Sequence, residues 1–265
     1  MGDHGDRSFE ELVEEAAAVP VDGWDFSWLE GRATEARPSW GYQRLMAGRL
    51  ADPALRSALD LQTGGGEVLA GADRYPPAMA ATEAWPPNLA RAGELLIPRG
   101  VVVVGAPETG PLPFPDAAFD LVTSRHPARI PWDEIARVLR PGGHYLAQHV
   151  GPASGFELIE FLLGPLGEEH RRSRSPEVEA EEARAAGLEL TGPPRCERTR
   201  IEVFDIGAVV YLLRKLVWWV PGFTVERYEE RLRALDAVLR RDGRFTAYSS
   251  RTLFEARRPA RAGRS

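Results

Sequence analysis

Ser57-Ala58-Leu59-Asp60-Leu61-Gln62-Thr63-Gly64-Gly65-Gly66-Glu67-Val68-Leu69-Ala70 reads as a short apolar strand, a glycine turn and the start of a helix. Glycines let backbone approach a ligand closely, and a turn that enters a helix aims amide N–H groups outward, which suits several nucleotides. The spacing narrows the choice. Counting from Gly64 and Gly66 puts Leu69 where the G-x-G-x-x-G fingerprint needs its third small residue, and the Gly-Lys-Ser/Thr of a phosphate loop is absent.

Working outward, strand and helix patterns alternate. Residues 78–82, 101–104, 119–123 and 144–149 read as strands, with helices over 87–96 and 131–139 between them. Parallel neighbours need such crossovers, so the pattern predicts βαβ units and a mainly parallel sheet. Upstream, Ser8 followed by Glu11 has the form of a capping box opening a helix over 8–19, and 42–50 reads as a second helix. Downstream come helices over 156–163 and 176–187 and a strand over 198–204. Two helices follow, broken by Pro221-Gly222, before a last strand over 245–255.

Four segments in order carry a resemblance. They are Leu59 to Gly66; Ala81-Thr82-Glu83-Ala84-Trp85, with a carboxylate ending the second strand; Leu112-Pro113-Phe114-Pro115-Asp116 leading into Phe119-Asp120-Leu121-Val122; and Glu134 to Gly143, which includes Arg140-Pro141-Gly142-Gly143. Together they resemble class I S-adenosylmethionine-dependent methyltransferases of the type 11-like group. The resemblance implies an α/β, Rossmann-like fold, a seven-stranded mostly parallel sheet with helices on both faces. Extra N-terminal helices and a helical insertion before the last strand would complete it. The domain expectation is an N-terminal helical and aromatic cover over 1–54, a cofactor-binding core over 55–259 with its insertion at about 205–241, and a tail at 260–265.

The resemblance also implies a site. Asp60 and the turn residues Gln62, Thr63, Gly64 and Gly65 would receive the methionine end of S-adenosylmethionine. Glu83, with Ala84, would take the ribose diol, and Glu108, with Thr109, the adenine amino group. Ser124 and Arg125 would complete the cofactor contacts. The family's first glycine is replaced by Gln62, whose side chain either crowds the cofactor or hydrogen-bonds it. For catalysis the candidates are His126, just past the fourth strand, and His149, ending the fifth. Both lie at the carboxyl edge, where open α/β sheets bind ligands, and either could serve as a base if the acceptor is protonated. A structural hydrogen-bonding role is open for each.

Aromatic residues flank this core: Trp24, Trp28, Trp40 and Tyr42 on one side in sequence, Tyr211, Trp218 and Trp219 on the other. Core packing is one reading of such a stripe, and the wall of an acceptor pocket is the other. Formal charge is −6 and Lys215 is the sole lysine, which makes nucleic acid an unfavoured partner. The one cysteine, Cys196, and the polar start suggest a cytoplasmic protein. The apolar run over 206–220 contains Arg214 and Lys215 and is too short for a membrane span. No metal is implied, since the five histidines show no ligand spacing. The expected activity is methyl transfer from S-adenosylmethionine, with S-adenosylhomocysteine as product, to a small organic acceptor. An RNA-modifying methyltransferase and a catalytically inactive, cofactor-binding regulatory relative are the alternatives, and the oligomeric state, homodimer included, stays open.

Overall fold

A computed structural model describes residues 7–21 and 25–260. Trp24, His4 and the tail beyond Ala260 lie outside the described residues. In chain order the first elements are α1 (Phe9–Ala18), β1 (Ala33–Glu35), α2 (Tyr42–Leu50), β2 (Ser57–Leu61), α3 (Glu67–Ala70), β3 (Ala78–Glu83), α4 (Pro86–Leu96) and β4 (Val102–Gly105). Next come β5 (Phe119–Arg125), α5 (Trp132–Val138), β6 (Leu139–Val150), α6 (Phe156–Leu163), α7 (Glu168–Arg172) and α8 (Pro176–Ala185). The chain continues through β7 (Glu189–Leu190), β8 (Arg195–Val203), α9 (Ile206–Lys215), α10 (Val225–Asp242) and β9 (Phe245–Arg257).

The chain forms two compact units. One comprises Met1–Arg37, Pro152–Ser173 and Arg198–Ser250; the other comprises Pro38–Gly151, Arg174–Glu197 and Arg251–Ser265. The first unit is mainly helical. Ser8 accepts the Glu11 amide and Glu11 returns a bond to the Ser8 amide, the expected capping box of α1. Asp205 and Thr224 cap α9 and α10 by accepting the amides of Ala208 and Arg227. Leu12, Val209, Leu213, Leu232 and Leu235 fill its core. In this unit β1 pairs antiparallel with β8.

The second unit holds the parallel sheet. β3 lies between β4 and β2, β2 pairs with β5 and β5 with β6, all parallel. The later part of β9 then runs antiparallel to β6, with β7 on its other edge. Every residue of β2 is buried, which is why the strand reads as an apolar run rather than an alternation. Leu59, Val122, Tyr145, Phe254 and α5 make the core on one face; Ala58, Met79, Leu121, Leu146 and α2 to α4 make it on the other.

The fold class agrees with the expectation, and the strand count does not. Nine strands are present among the described residues instead of seven. The additions, β1 and β7, are three and two residues long. Such pieces carry no period of their own and exist by pairing along existing strands. Among the described residues no helix is long and apolar enough to cross a membrane.

Two of the resembling segments are tied together physically. The Arg137 guanidinium bridges Glu134 and Asp116 and donates to the carbonyls of Leu112 and Phe114, and Glu134 accepts the Leu112 amide. Asp120 accepts the amides of Arg56 and Ser57 and pairs with Arg140. A Cβ at Gly143 would come within 2.9 Å of the Arg140 carbonyl oxygen, so the second glycine of that turn is required.

Candidate active site

In the sheet of the second unit the chain leaves β2 toward β3 and β4, then returns to place β5 on the other side of β2. The carboxyl ends of β2 and β5 therefore flank a topological switch point, where open α/β sheets bind ligands. Left-handed backbone clusters there: Gln62 (φ +53°), Gly64 (+65°) and Gly66 (+85°) after β2, and His126 (+55°) after β5. At Gly66 a Cβ would also meet Leu96 at 2.9 Å. Gln62 and His126 are the informative pair, because a non-glycine residue in this region costs about 1–2 kcal/mol and persists only when its surroundings hold it.

The sequence-assigned cofactor residues fall into two groups. Asp60, Gln62, Thr63, Gly64, Glu83, Ala84 and Ser124 converge. Glu83 accepts the Gly64 amide at 2.8 Å through one carboxylate oxygen and the amides of Ala84 and Trp85 through the other. Asp60 is buried and accepts the Thr123 hydroxyl at 2.6 Å. Burial drives its pKa from 3.8 to about 6, opposed by hydrogen bonding from Thr123 and Thr63. The Thr63 hydroxyl beside it is buried. The Ser124 hydroxyl donates to the Leu61 carbonyl at 3.0 Å, and Gly65 sits over the Glu67 carboxylate. Arg125 is exposed at the end of β5.

Glu108 and Thr109 lie elsewhere. Both are exposed and line an open cleft of about 390 Å³ with residues 127–131 and the α8 residues Val178, Glu179 and Glu182. None of the glycine-turn residues lines that cleft. Gln62 supplies the physical link: its side-chain N–H donates to the Arg129 carbonyl at 2.6 Å, and its oxygen accepts the Ala128 amide at 2.7 Å. These two bonds stabilise the left-handed conformation that glycine would adopt freely.

The two histidines differ in setting. His149 is fully buried, 2.7 Å from Glu179 through Nδ1 and 3.0 Å from the Tyr145 hydroxyl through Nε2. Burial and the Glu179 charge push the Tyr145 phenol up, so it stays a donor, and His149 then carries its proton on Nδ1, donated to Glu179. Phe254 stacks on the ring, and Trp132 meets it edge-on. His126 is half-buried, its backbone amide donating to the Gln148 carbonyl and its Nε2 lying 2.8 Å from the Gln148 amide nitrogen. Burial, with Arg125, Arg251, His149 and Arg174 nearby, holds its pKa well below 6.5. It is neutral at physiological pH.

The expected pocket aromatics divide between the units. In the second unit Trp40 and Tyr42 are buried; the Trp40 indole donates to Gln148, and the Tyr42 hydroxyl reaches the Leu146 carbonyl. In the first unit the Trp28 ring lies 5.0 Å from that of Tyr211, whose hydroxyl donates to the Asp25 carbonyl. Trp219 packs on Gly155, and Trp218 is exposed. Gln148, Glu179 and Thr123 were not singled out from sequence. As neighbours on one strand, residues 148 and 149 must face opposite sides of the sheet, which separates Gln148 from His149 but gives no signal for Glu179 or Thr123.

Residues 59–147 match the family model described as a methyltransferase domain. Among solved structures, BH2331 of Bacillus halodurans superposes with a TM-score of 0.59 at 18% identity, over 84% of this chain and all of that one. The YcgJ protein of Bacillus subtilis gives 0.57 at 16% identity, over 82% of this chain and 98% of its own. The [4+2]-cyclase SpnF gives 0.51 at 20% identity, over 95% and 92%. These likenesses show a shared fold. No curated protein sequence matches the chain significantly. The segment from β2 into β6 thus matches a methyltransferase domain model and has a Rossmann-like fold.

Proposed function

We propose that this chain, whose residues 59–147 match a methyltransferase domain model, transfers the methyl group of S-adenosylmethionine to a small organic molecule. The observation that carries the reading is the hydrogen bond of Glu83 to the Gly64 amide, which places the acidic end of β3 against the left-handed turn ending β2. The carboxylate proposed for the ribose diol and a set of turn amides are thereby brought together, with the buried Thr63 hydroxyl and the Asp60 carboxyl beside them. These residues fit S-adenosylmethionine: Asp60, Gln62, Thr63, Gly64 and Gly65 toward its methionine end, and Glu83 with Ala84 toward the ribose. Ser124 and Arg125 contribute from β5, and Glu108 with Thr109 from the loop after β4. When bound, the cofactor supplies an electrophilic methyl group.

The chain's own contribution is alignment, because methyl transfer needs nucleophile, methyl carbon and sulfur held in line. His126, at the switch point, is the residue we assign to the acceptor. Behind it Trp40 bonds the Gln148 side chain and Tyr42 the Leu146 carbonyl. His149 acts at one remove, by fixing Glu179 and Tyr145. The acidic charge and the aromatic content favour a small molecule over RNA, and a cytoplasmic location accords with the single cysteine.

Calorimetric titration with S-adenosylhomocysteine tests the cofactor assignment. Wild type binds, and Glu83→Ala binds at least tenfold more weakly. Absence of binding to wild type overturns the reading. Transfer of labelled methyl to a panel of small acceptors then separates turnover from binding alone. The inactive regulatory alternative, which the Gln62 bridge to residues 128 and 129 favours, gives binding with no acceptor labelled.

A further inference from the structure

His126 has one ring nitrogen committed, and three residues far apart in sequence decide how. The Trp40 indole N–H, which can only donate, points its proton at the Gln148 side-chain oxygen across 2.8 Å. That fixes the amide: oxygen toward Trp40, nitrogen toward His126. The amide nitrogen can only donate as well, and it sits 2.8 Å from His126 Nε2. Nε2 must therefore accept, and a neutral ring accepting at Nε2 carries its proton on Nδ1. Trp40 is 6% exposed and Gln148 4%, so water does not compete for the relay. The charged groups around the ring are Arg125, Arg251 and Arg174, with His149 the other titratable neighbour. All oppose a second proton. Among the described residues no side chain or carbonyl accepts from Nδ1.

We propose that the Trp40–Gln148 relay locks His126 as a neutral Nδ1–H hydrogen-bond donor, and that the acceptor molecule presents an oxygen lone pair to it, as a carbonyl, carboxylate or phenolate. Removing a proton from the acceptor is then not His126's task, because its only lone pair is already engaged. Its part is to orient the acceptor through that oxygen beside the atom to be methylated. This assignment of acceptor class rests on the methyltransferase reading above; the tautomer does not.

The test uses the full-length protein with ¹⁵N-labelled histidine and two-bond proton–nitrogen correlation spectra, the His126 signals being identified by their loss in His126→Asn. Wild type shows Nδ1 in the protonated, pyrrole-type range and Nε2 in the unprotonated range from about pH 6 to 8. Gln148→Glu inverts the pattern, since a carboxylate accepts from both Trp40 and Nε2–H, and it raises the ring's pKa. Trp40→Phe frees the amide and gives a mixture. A wild-type ring protonated on Nε2, or on both nitrogens at pH 7, overturns the relay. The same spectra with S-adenosylhomocysteine and millimolar benzoate or benzylamine address the acceptor. Benzoate is expected to shift the Nδ1 proton and benzylamine to leave it. A shift by benzylamine alone, or by neither, overturns the acceptor class. Because the tautomer is read on the free protein, its failure and a failure to bind S-adenosylhomocysteine are separate results.

Discussion

Asp60→Asn is expected to stabilise the protein at pH 8 and to leave its stability nearly unchanged at about pH 4, while weakening cofactor binding. Asp60 is buried, and its native pKa is raised from 3.8 to about 6, burial being the main cause. For a carboxyl raised in the native state, the favourable contribution is complete below 3.8, where both states are protonated. It declines as pH rises and is lost above about 6. At about 1.4 kcal/mol per tenfold in ionisation, the charged native state carries a cost of about 3 kcal/mol. Asparagine removes that charge and still accepts the Thr123 hydroxyl, whose bond to a carboxylate at 2.6 Å is the stronger one. Because the raised pKa is already net of that bond, the full difference of about 3 kcal/mol applies, a rise in Tm of about 6–12 °C at about 2–4 °C per kcal/mol for a chain of this size. Differential scanning calorimetry of both proteins at the two pH values measures it. An equal Tm difference at both, or a variant less stable at pH 8, would refute desolvation of Asp60 as the cause.

Other positions give contrasting signs. Gln62→Gly relieves about 1 kcal/mol of left-handed strain but loses two hydrogen bonds to residues 128 and 129. Global Tm should then change little while the Ala128 amide exchanges at least tenfold faster by hydrogen-exchange mass spectrometry; unchanged exchange would show that the bridge does not hold the segment. His149→Leu strips a buried carboxylate of its partner and should cost about 3–5 kcal/mol in urea unfolding. The double variant with Glu179→Leu should recover most of that loss. Gly66→Ala forces a side chain into left-handed backbone and against Leu96, so its Tm should fall by several degrees.

The parallel sheet was legible because its strands are buried on both faces and so run apolar, and because the glycine turn marks where one of them ends. β1 and β7 were not, being too short to show a period. Within the site, the replacement of glycine by Gln62 was visible as a departure, but its consequence was not. Its amide partners lie 66 and 67 residues downstream, and nothing local distinguishes a side chain that bridges from one that crowds. The histidines could be placed at the carboxyl edge from strand ends alone. Their difference in setting follows from pairing: His149 faces Glu179, one of several acids on α8, and only packing decides which acid turns inward. In sequence Trp40 reads as core more readily than as pocket wall; its role as the donor that orients Gln148 depends on an element 108 residues away.

Gln62 and His126, the two left-handed non-glycine residues at the switch point, are connected through one segment. His126 begins it, and residues 128 and 129, two and three positions on, are gripped by Gln62 from the other side of the switch point. Whatever engages the Gln62 amide must compete with those two bonds, and in doing so it loosens the backbone that carries His126. A glycine at position 62 would ease the turn and remove that link. The glutamine thus ties the glycine turn to the segment that begins at His126 by contiguous hydrogen bonds. The same geometry explains how left-handed strain is tolerated twice in so small a region: at each residue the strain of about 1–2 kcal/mol is offset by hydrogen bonds that only the left-handed backbone can make, those of the Gln62 amide on one side and those joining His126 to Gln148 on the other.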